Sequence, residues 1–209
     1  MIFYPKRKID PPNRWFLQFS QFTPDEKFDY NNGAYVVLAL IAERVSGESF
    51  YDIVDQRVCA RAGLLDTGFF RSDELPGRAA TGYLASTGSE RTNVLHLPVR
   101  GSGDGGIYST VADLSRLWTA FFEGRIVAHD WVARMVKPRS HVPESPMTYG
   151  LGFWLHGGNG TVLLTGSDAG VSFMSQHSPS TSITSTVISN TSEGAWPIAR
   201  LLRDYPSNS

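Results

Sequence analysis

One pattern in the 209 residues has the residue types and spacing of a known chemistry, and it is weak on closer reading. Gly101-Ser-Gly103-Asp-Gly105-Gly106 has the G-x-G-x-x-G spacing that lets a backbone approach a pyrophosphate, and it stands before a helix. That chemistry also needs a buried parallel strand in front, and Leu95-His96-Leu97-Pro98 is a poor one because proline cannot donate to a ladder. A tight glycine-rich loop is the better reading, and no nucleotide cofactor is expected. His96, His129, His141, His156 and His177 are scattered without metal-ligand spacing, so they read as surface or hydrogen-bonded side chains and no metal is expected. No G-x-S-x-G nucleophile elbow is present: Ser102 and Ser167 have glycine neighbours at the wrong offsets. The single cysteine, Cys59, lies in an apolar helical stretch and reads as a small core residue.

Two other segments stand out by position. Tyr30-Asn31-Asn32 opens a helix, and Leu164-Thr165-Gly166 ends a short strand before Ser167-Asp168-Ala169-Gly170. Taken alone, one is a commonplace helix start and the other a commonplace strand end.

Composition narrows the field. Lys and Arg total 19 against 20 Asp and Glu, a formal charge of −1 with mixed signs, which argues against nucleic-acid binding or a polybasic membrane tether. One cysteine excludes an internal disulfide framework. No apolar run approaches the roughly 18–20 residues of a membrane span. At the N-terminus Lys6-Arg7-Lys8 leads into Pro11 and Pro12 rather than into an apolar stretch, so no secretory signal is read and a cytoplasmic location is the default.

The elements that would position these residues follow from periodicity. Residues 1–22 are irregular and rich in rings (Phe3, Tyr4, Trp15, Phe16, Phe19, Phe22), a segment expected to pack onto a core made by later residues. Residues 23–146 are mainly helical. Tyr35, Leu38, Ile41, Ala42 and Val45 recur at helical spacing between a cap at Asn31 or Asn32 and a stop at Gly47. A second helix runs from Ser49 towards Gly63. A third begins near Thr110, where Thr110 and Asp113 have capping-pair spacing, and carries Leu114, Leu117, Trp118 and Phe121 on one face. Ala128–Val136 is a further short helix stopped by Pro138. Residues 147–209 read as strands around Leu151–Leu155, Thr161–Thr165, Val171–His177 and Ile183–Ser189, with a closing helix from Ala195 to Tyr205. The class is α+β.

In this order the segments resemble the serine β-lactamase and penicillin-binding-protein-like family, particularly its class C-like esterases and D-aminopeptidases. The Tyr-x-Asn helix start and its Glu-x-Val-Ser-Gly end are similar to Tyr30–Gly47, where Glu43-Arg-Val45-Ser-Gly47 closes the helix. Ala62-Gly63-Leu64-Leu65-Asp66-Thr67-Gly68-Phe69 resembles the family's Pro-Leu-Gly-Met-x-x-Thr-x-Phe, and Gly105–Leu114 its Gly-Gly-x-x-Ser-Thr-x-x-Asp-Leu. Tyr149-Gly-Leu-Gly-Phe153 and Val187-Ile-Ser189-Asn190 match two late landmarks.

The resemblance implies a β-lactamase/transpeptidase-like fold, here an incomplete one with a helical region, C-terminal antiparallel strands and a closing helix. It implies serine acyl transfer on a small ester, amide or β-lactam. Tyr30 would correspond to the tyrosine that relays the serine proton and Asn32 to the polar residue beside it. Thr165 and Gly166 would belong to the strand that edges the site, and Ser167 would lend its N–H to an oxyanion hole. Relatives are often exported, which leaves the location open.

Two departures bear on mechanism. No serine in the sequence is followed three positions later by lysine, so the Ser-x-x-Lys nucleophile motif is missing, and the basic residue of the strand motif is Leu164. A truncated hydrolase, inactive as this chain, is therefore expected. The alternatives are a non-catalytic module that binds a ligand or partner in the same cleft, and a hydrolase using another serine. With only the later strands present, the sheet would have an exposed edge and self-association is expected. Gel filtration checks this: elution ahead of a 23.0 kDa monomer is expected, and a compact monomer with low dye binding would refute it.

Overall fold

A computed structural model describes residues 26–84 and 91–204. The irregular segment expected over 1–22, and Tyr205 at the expected helix end, lie outside the described residues.

The first helix, α1 (Asn32–Ser46), forms because Asn31 caps it, its side chain accepting from the Ala34 N–H at 3.2 Å. Gly47 ends it in the left-handed region, φ 74°, where its N–H bonds back to Glu43. Burial along α1 differs from the expected pattern. Ala39 is the buried residue, whereas Leu38, Ile41 and Val45 are exposed.

After Ser49, which caps the next element, the chain runs through α2 (Phe50–Val54), a π-helical turn (Asp55–Cys59) and α3 (Ala60–Ala62), stopped by Gly63. Cys59 is buried there, as its setting suggested. A two-stranded ladder, β1 (Tyr83–Leu84) with β2 (Arg91–Thr92), interrupts the turn-rich stretch that follows.

The next helix, α4 (Val111–Phe122), is capped by Thr110, whose hydroxyl accepts from the Asp113 N–H at 3.1 Å. Only half of the expected capping pair forms. The Asp113 carboxylate turns away and accepts from the Asp66 N–H at 2.7 Å, the Leu65 N–H at 3.3 Å, the Thr67 hydroxyl at 2.8 Å and Arg116 at 2.6 Å. It sits at 0% exposure, joining the loop after α3 to the start of α4. Then comes α5 (His129–Met135).

A six-stranded antiparallel meander follows: β3 (Ser140–His141), β4 (Met147–Tyr149), β5 (Trp154–His156), β6 (Val162–Asp168), β7 (Val171–Ser178) and β8 (Ile183–Ser189), in that spatial order. The expected strand over Leu151–Leu155 is shorter, because Gly150–Phe153 is a turn, with Gly152 at φ 87° and the Gly150 N–H bonded to the Phe153 carbonyl. β3 was not visible in the proline-rich stretch. β6 is longer than expected and continues through Thr165–Asp168 rather than ending at Gly166.

Trp118 of α4, 1% exposed, centres the core with Leu155 and Val162. Its indole N–H donates to Ser175 on β7 at 2.8 Å, and Ser175 pairs with Thr186 on β8 at 2.7 Å, so one polar chain crosses the apolar layer fully bonded. His177 stacks on Phe122 at 4.7 Å and bonds Thr184 at 2.8 Å; burial pushes its imidazole pKa down. The closing helix, α6 (Trp196–Asp204), reaches the sheet near Ser172, whose hydroxyl accepts from the Ala195 N–H at 3.1 Å.

At one end of the sheet the β6–β7 turn is clamped to the ladder. Asn93 donates to the Ala169 carbonyl at 2.9 Å, and its N–H bonds the Gly82 carbonyl at 2.9 Å. Side chains at Gly82 or Gly170 would run into Asn93.

Asp113→Ala strands two backbone donors in a buried joint. A loss on the order of 3 kcal/mol is expected in denaturant unfolding, while Arg116→Ala, at the exposed end of the same pair, costs within about 1 kcal/mol. Burial opposes the charge of Asp113, but the bonds from Asp66, Thr67, Leu65 and Arg116 outweigh it and lower the pKa. A lowered folded pKa means that this stabilisation is present above the unfolded value of about 3.9 and is lost as pH falls through the folded one. The stability difference between the wild type and Asp113→Ala shrinks accordingly in acid.

Candidate active site

Tyr30 immediately precedes the Asn31 cap, so the first turn of α1 fixes where its ring can go. The ring stacks on Trp154 of β5 at 5.5 Å and meets Tyr149 of β4 edge-on at 6.0 Å. Tyr149 and Trp154 are cross-strand partners, 4.9 Å apart and edge-on. Tyr35, one helical turn into α1, shares a 2.5 Å hydrogen bond with the Tyr149 hydroxyl, which ties the helix to the sheet. Phe28 closes the group, 5.4 Å from Tyr149 and 5.9 Å from Trp154.

This cluster reaches the strand that carries the other expected site residues. Trp154 pairs with Leu163 of β6. Beyond Leu163, β6 is bonded to β7 on one side only; from Leu164 to Asp168 no strand pairs its other side among the described residues. Thr165, Gly166 and Ser167 lie on that free edge, Thr165 and Ser167 exposed. A free strand edge offers backbone N–H and C=O groups to a polar ligand.

The expected residues differ in what they are free to do. The Thr165 hydroxyl donates to the Phe173 carbonyl at 3.2 Å. Gly166 lies opposite Phe173, whose ring edge would be 3.0 Å from any added Cβ, so a side chain there would press on the ring. Ser167 lies opposite Ser172. Asn32 is the first residue of α1 and exposed. Leu164 packs against the Trp118 cluster and belongs to the core.

The glycine-rich loop acts through position. Ser102 and Gly105 bond each other's backbone, closing a tight turn, and a Cβ on Gly103 would overlap the Tyr35 carbonyl oxygen. The loop therefore lies flat against α1 and brings Asp104 near Tyr30. Tyr30 is 46% exposed, and burial of its hydroxyl end, then Tyr35, then Asp104 raise its pKa. Burial first, then the bond from Tyr35, holds Tyr149 far above the ordinary tyrosine value. A phenol in this field is a proton donor or neutral hydrogen-bond partner at neutral pH: even at the ordinary value of about 10, roughly one molecule in a thousand is ionised at pH 7.

Sequence reasoning missed Trp154, Tyr35, Phe28 and Asp104. Tyr149 stood inside a recognised landmark, but its contact with Tyr35 depends on the β4–β5 register. Among the described residues no group of three or more His, Cys, Asp or Glu could hold a metal ion, and no helix is long and apolar enough to cross a membrane.

A family model described as Beta-lactamase matches residues 12–203, and the chain belongs to that family. The putative penicillin-binding protein PbpX of Bacillus subtilis (strain 168) is 28% identical over 136 residues, 63% of this chain and 32% of that protein. The penicillin binding protein from Bacillus halodurans superposes with a TM-score of 0.83 at 34% identity, over 87% of this chain and 57% of that structure. A D-stereospecific amidohydrolase from Streptomyces sp. gives a TM-score of 0.74 at 19% identity over 90% of this chain and 57% of its own, a likeness of fold alone. The fold is β-lactamase/transpeptidase-like, and the chain spans about a third of the length of the curated relatives it matches.

The raised Tyr30 value has a direct check. In a ¹³Cζ-tyrosine NMR titration, the resonance lost in Tyr30→Phe is expected to have its midpoint above the ordinary value of about 10. A midpoint below it would mean a cation stands beside the ring.

Proposed function

We propose, from membership of this family, that these 209 residues form the tyrosine-and-strand side of a serine hydrolase cleft for an ester, amide or β-lactam. As this polypeptide alone, they carry out no acyl transfer. The observation that supports the reading is the stacking of Tyr30 on Trp154, whose strand β5 pairs with β6 only as far as Leu163 and leaves the stretch from Leu164 open on that side.

In such a cleft an acyl carbonyl lies along the strand edge. The developing oxyanion takes N–H donors, one of them assigned here to Ser167, and a phenol at Tyr30 passes a proton between nucleophile and leaving group. Asn32 and Thr165 supply polar contacts to the substrate, and Gly166 leaves the strand surface open. No Ser-x-x-Lys occurs in the sequence, so the attacking hydroxyl and its activating ammonium have no source here. Loss of the nucleophile in triad-type hydrolases costs on the order of 10⁶ in kcat. The raised pKa of Tyr30 fits the same picture, since no ammonium holds it as tyrosinate.

A second reading has its own support. The half-exposed Tyr30 ring, backed by Trp154, suits a non-catalytic module that holds a small ligand at the same edge.

Intact-mass measurement after incubation with a fluorophosphonate and, separately, a β-lactam decides the catalytic question. An unchanged 23.0 kDa mass is expected with both. A stoichiometric adduct on one serine would overturn inactivity and identify the nucleophile. With the mass unchanged, saturable binding abolished by Tyr30→Ala would favour the binding module.

A further inference from the structure

The open stretch of β6 from Leu164 to Asp168 and the glycine turn from Gly101 to Gly106 together contain two carboxylates and no base. At the end of the strand, the Asp168 carboxylate accepts from the Ala169 N–H at 2.6 Å. Asp104 is different. It stands in the turn between Gly103, which lies against the Tyr35 carbonyl and Ala39 of α1, and Gly105, whose backbone is bonded to Ser102. The turn therefore holds Asp104 in place beside α1, close enough to Tyr30 for its charge to act on the phenol. Asp104 is exposed, and among the described residues its carboxylate has no hydrogen bond and no ion pair.

A carboxylate fixed beside a half-exposed aromatic ring is suited to an ammonium group. The carboxylate meets its charge and its N–H donors, and the ring attracts the same cation through its π-face. The Tyr30 ring is 46% exposed, with Trp154 stacked on it at 5.5 Å as a second aromatic wall. A ligand carboxylate in the same place would meet a like charge and no receiver. Arg100, the base nearest the turn in sequence, is committed elsewhere: it lies over the Tyr51 ring at 3.5 Å and donates to the Phe69 carbonyl at 2.8 Å. Leu164, at the start of the open strand, packs against the Trp118 cluster.

We infer, resting on the cleft reading above, that this site selects amides or esters whose acyl part carries an ammonium group, with Asp104 as its counter-charge beside the Tyr30 ring, and turns away those with a carboxylate there. Asp104 determines specificity and takes no part in bond breaking, so a chain that binds without turnover selects in the same way.

Three amides of one shape test this at about pH 6, where a simple amine is protonated and an exposed carboxyl is ionised. They are glycine benzylamide, which carries an ammonium group, N-benzylpropanamide, with a methyl group in its place, and N-benzylmalonamic acid, with a carboxylate. Each is titrated into the full chain while the ¹³Cζ resonance of Tyr30 is followed. The ammonium compound is expected to bind roughly tenfold more tightly than the methyl compound, the sum of an exposed ion pair and an exposed cation–π contact, and the carboxylate compound more weakly than either. Asp104→Asn is expected to bring the first two to within about threefold of each other, the cation–π part alone remaining, and Asp104→Lys to reverse the order of the two charged compounds. Equal affinities of the ammonium and methyl compounds for the wild-type chain would overturn this inference and leave the cleft reading standing, because the methyl compound still reports on the site. A tenfold preference that survives Asp104→Asn would overturn the assignment to Asp104. No movement of the Tyr30 resonance with any of the three would overturn the cleft reading as well.

Discussion

A carboxylate removed from water must be met by donors on every side, and in this protein that requirement falls on Asp113. Its oxygens take two backbone N–H groups from the loop after α3, a hydroxyl from Thr67 and the guanidinium of Arg116. The same loop is also pinned beside the start of α4 by the paired backbone bonds of Gly68 and Tyr108 and by the Thr67–Ser109 hydroxyl pair at 2.8 Å. The joint helps to fix where α4 begins, and α4 carries Trp118 into the sheet, so one buried charge contributes to the registration of the helical region on the meander. An alanine there would leave the peptide N–H groups at 65 and 66 without the acceptor they have in this fold.

The site depends on a second, softer constraint made of rings. Tyr30, Tyr35, Tyr149, Trp154 and Phe28 form a continuous aromatic wedge between α1 and the β4–β5 hairpin. Two hydroxyls in it, those of Tyr35 and Tyr149, satisfy each other. The charges that act on Tyr30 among the described residues, those of Tyr35 and Asp104, both oppose its ionisation, Asp104 being held nearby by the glycine turn. That electrostatic setting separates shape from chemistry: the ring packing fixes where the phenol stands, and the local charge keeps its proton on. The apolar Leu164, sealed into the Trp118 core, adds no positive charge to offset it.

Much of this was legible in the sequence where local chemistry decides the outcome. Asn31, Ser49 and Thr110 announce helix starts because their side chains accept from N–H groups two or three residues on, and Gly47 and Gly63 announce ends because only glycine takes the left-handed turn cheaply. Long strands such as Ile183–Ser189 were equally plain. The errors share one origin, since each involves a partner far away in the chain. Asp113 had the spacing to cap its own helix, yet Leu65 and Asp66 claimed it. Leu151 and Phe153 alternate like a strand, but the β4–β5 turn needed them. The cluster around Tyr30 was invisible because it forms only when the β4–β5 register sets Tyr149 opposite Trp154. Leu38, Ile41 and Val45 had helical spacing, which reports that a helix has a face but not which neighbour covers it.

The clamp at the end of the sheet has a consequence for how this chain can vary. Gly82, Asn93 and Gly170 come from three separate parts of the sequence and meet with no room for one more carbon atom. A Cβ at Gly82 would also meet the Gly170 carbonyl oxygen, one at Gly170 would sit on a left-handed backbone close to the Tyr83 N–H, and a smaller residue in place of the asparagine gives up its bond to the Ala169 carbonyl. Each of these three positions therefore resists change on its own account, so that in a set of diverging descendants of this chain they would stand still together.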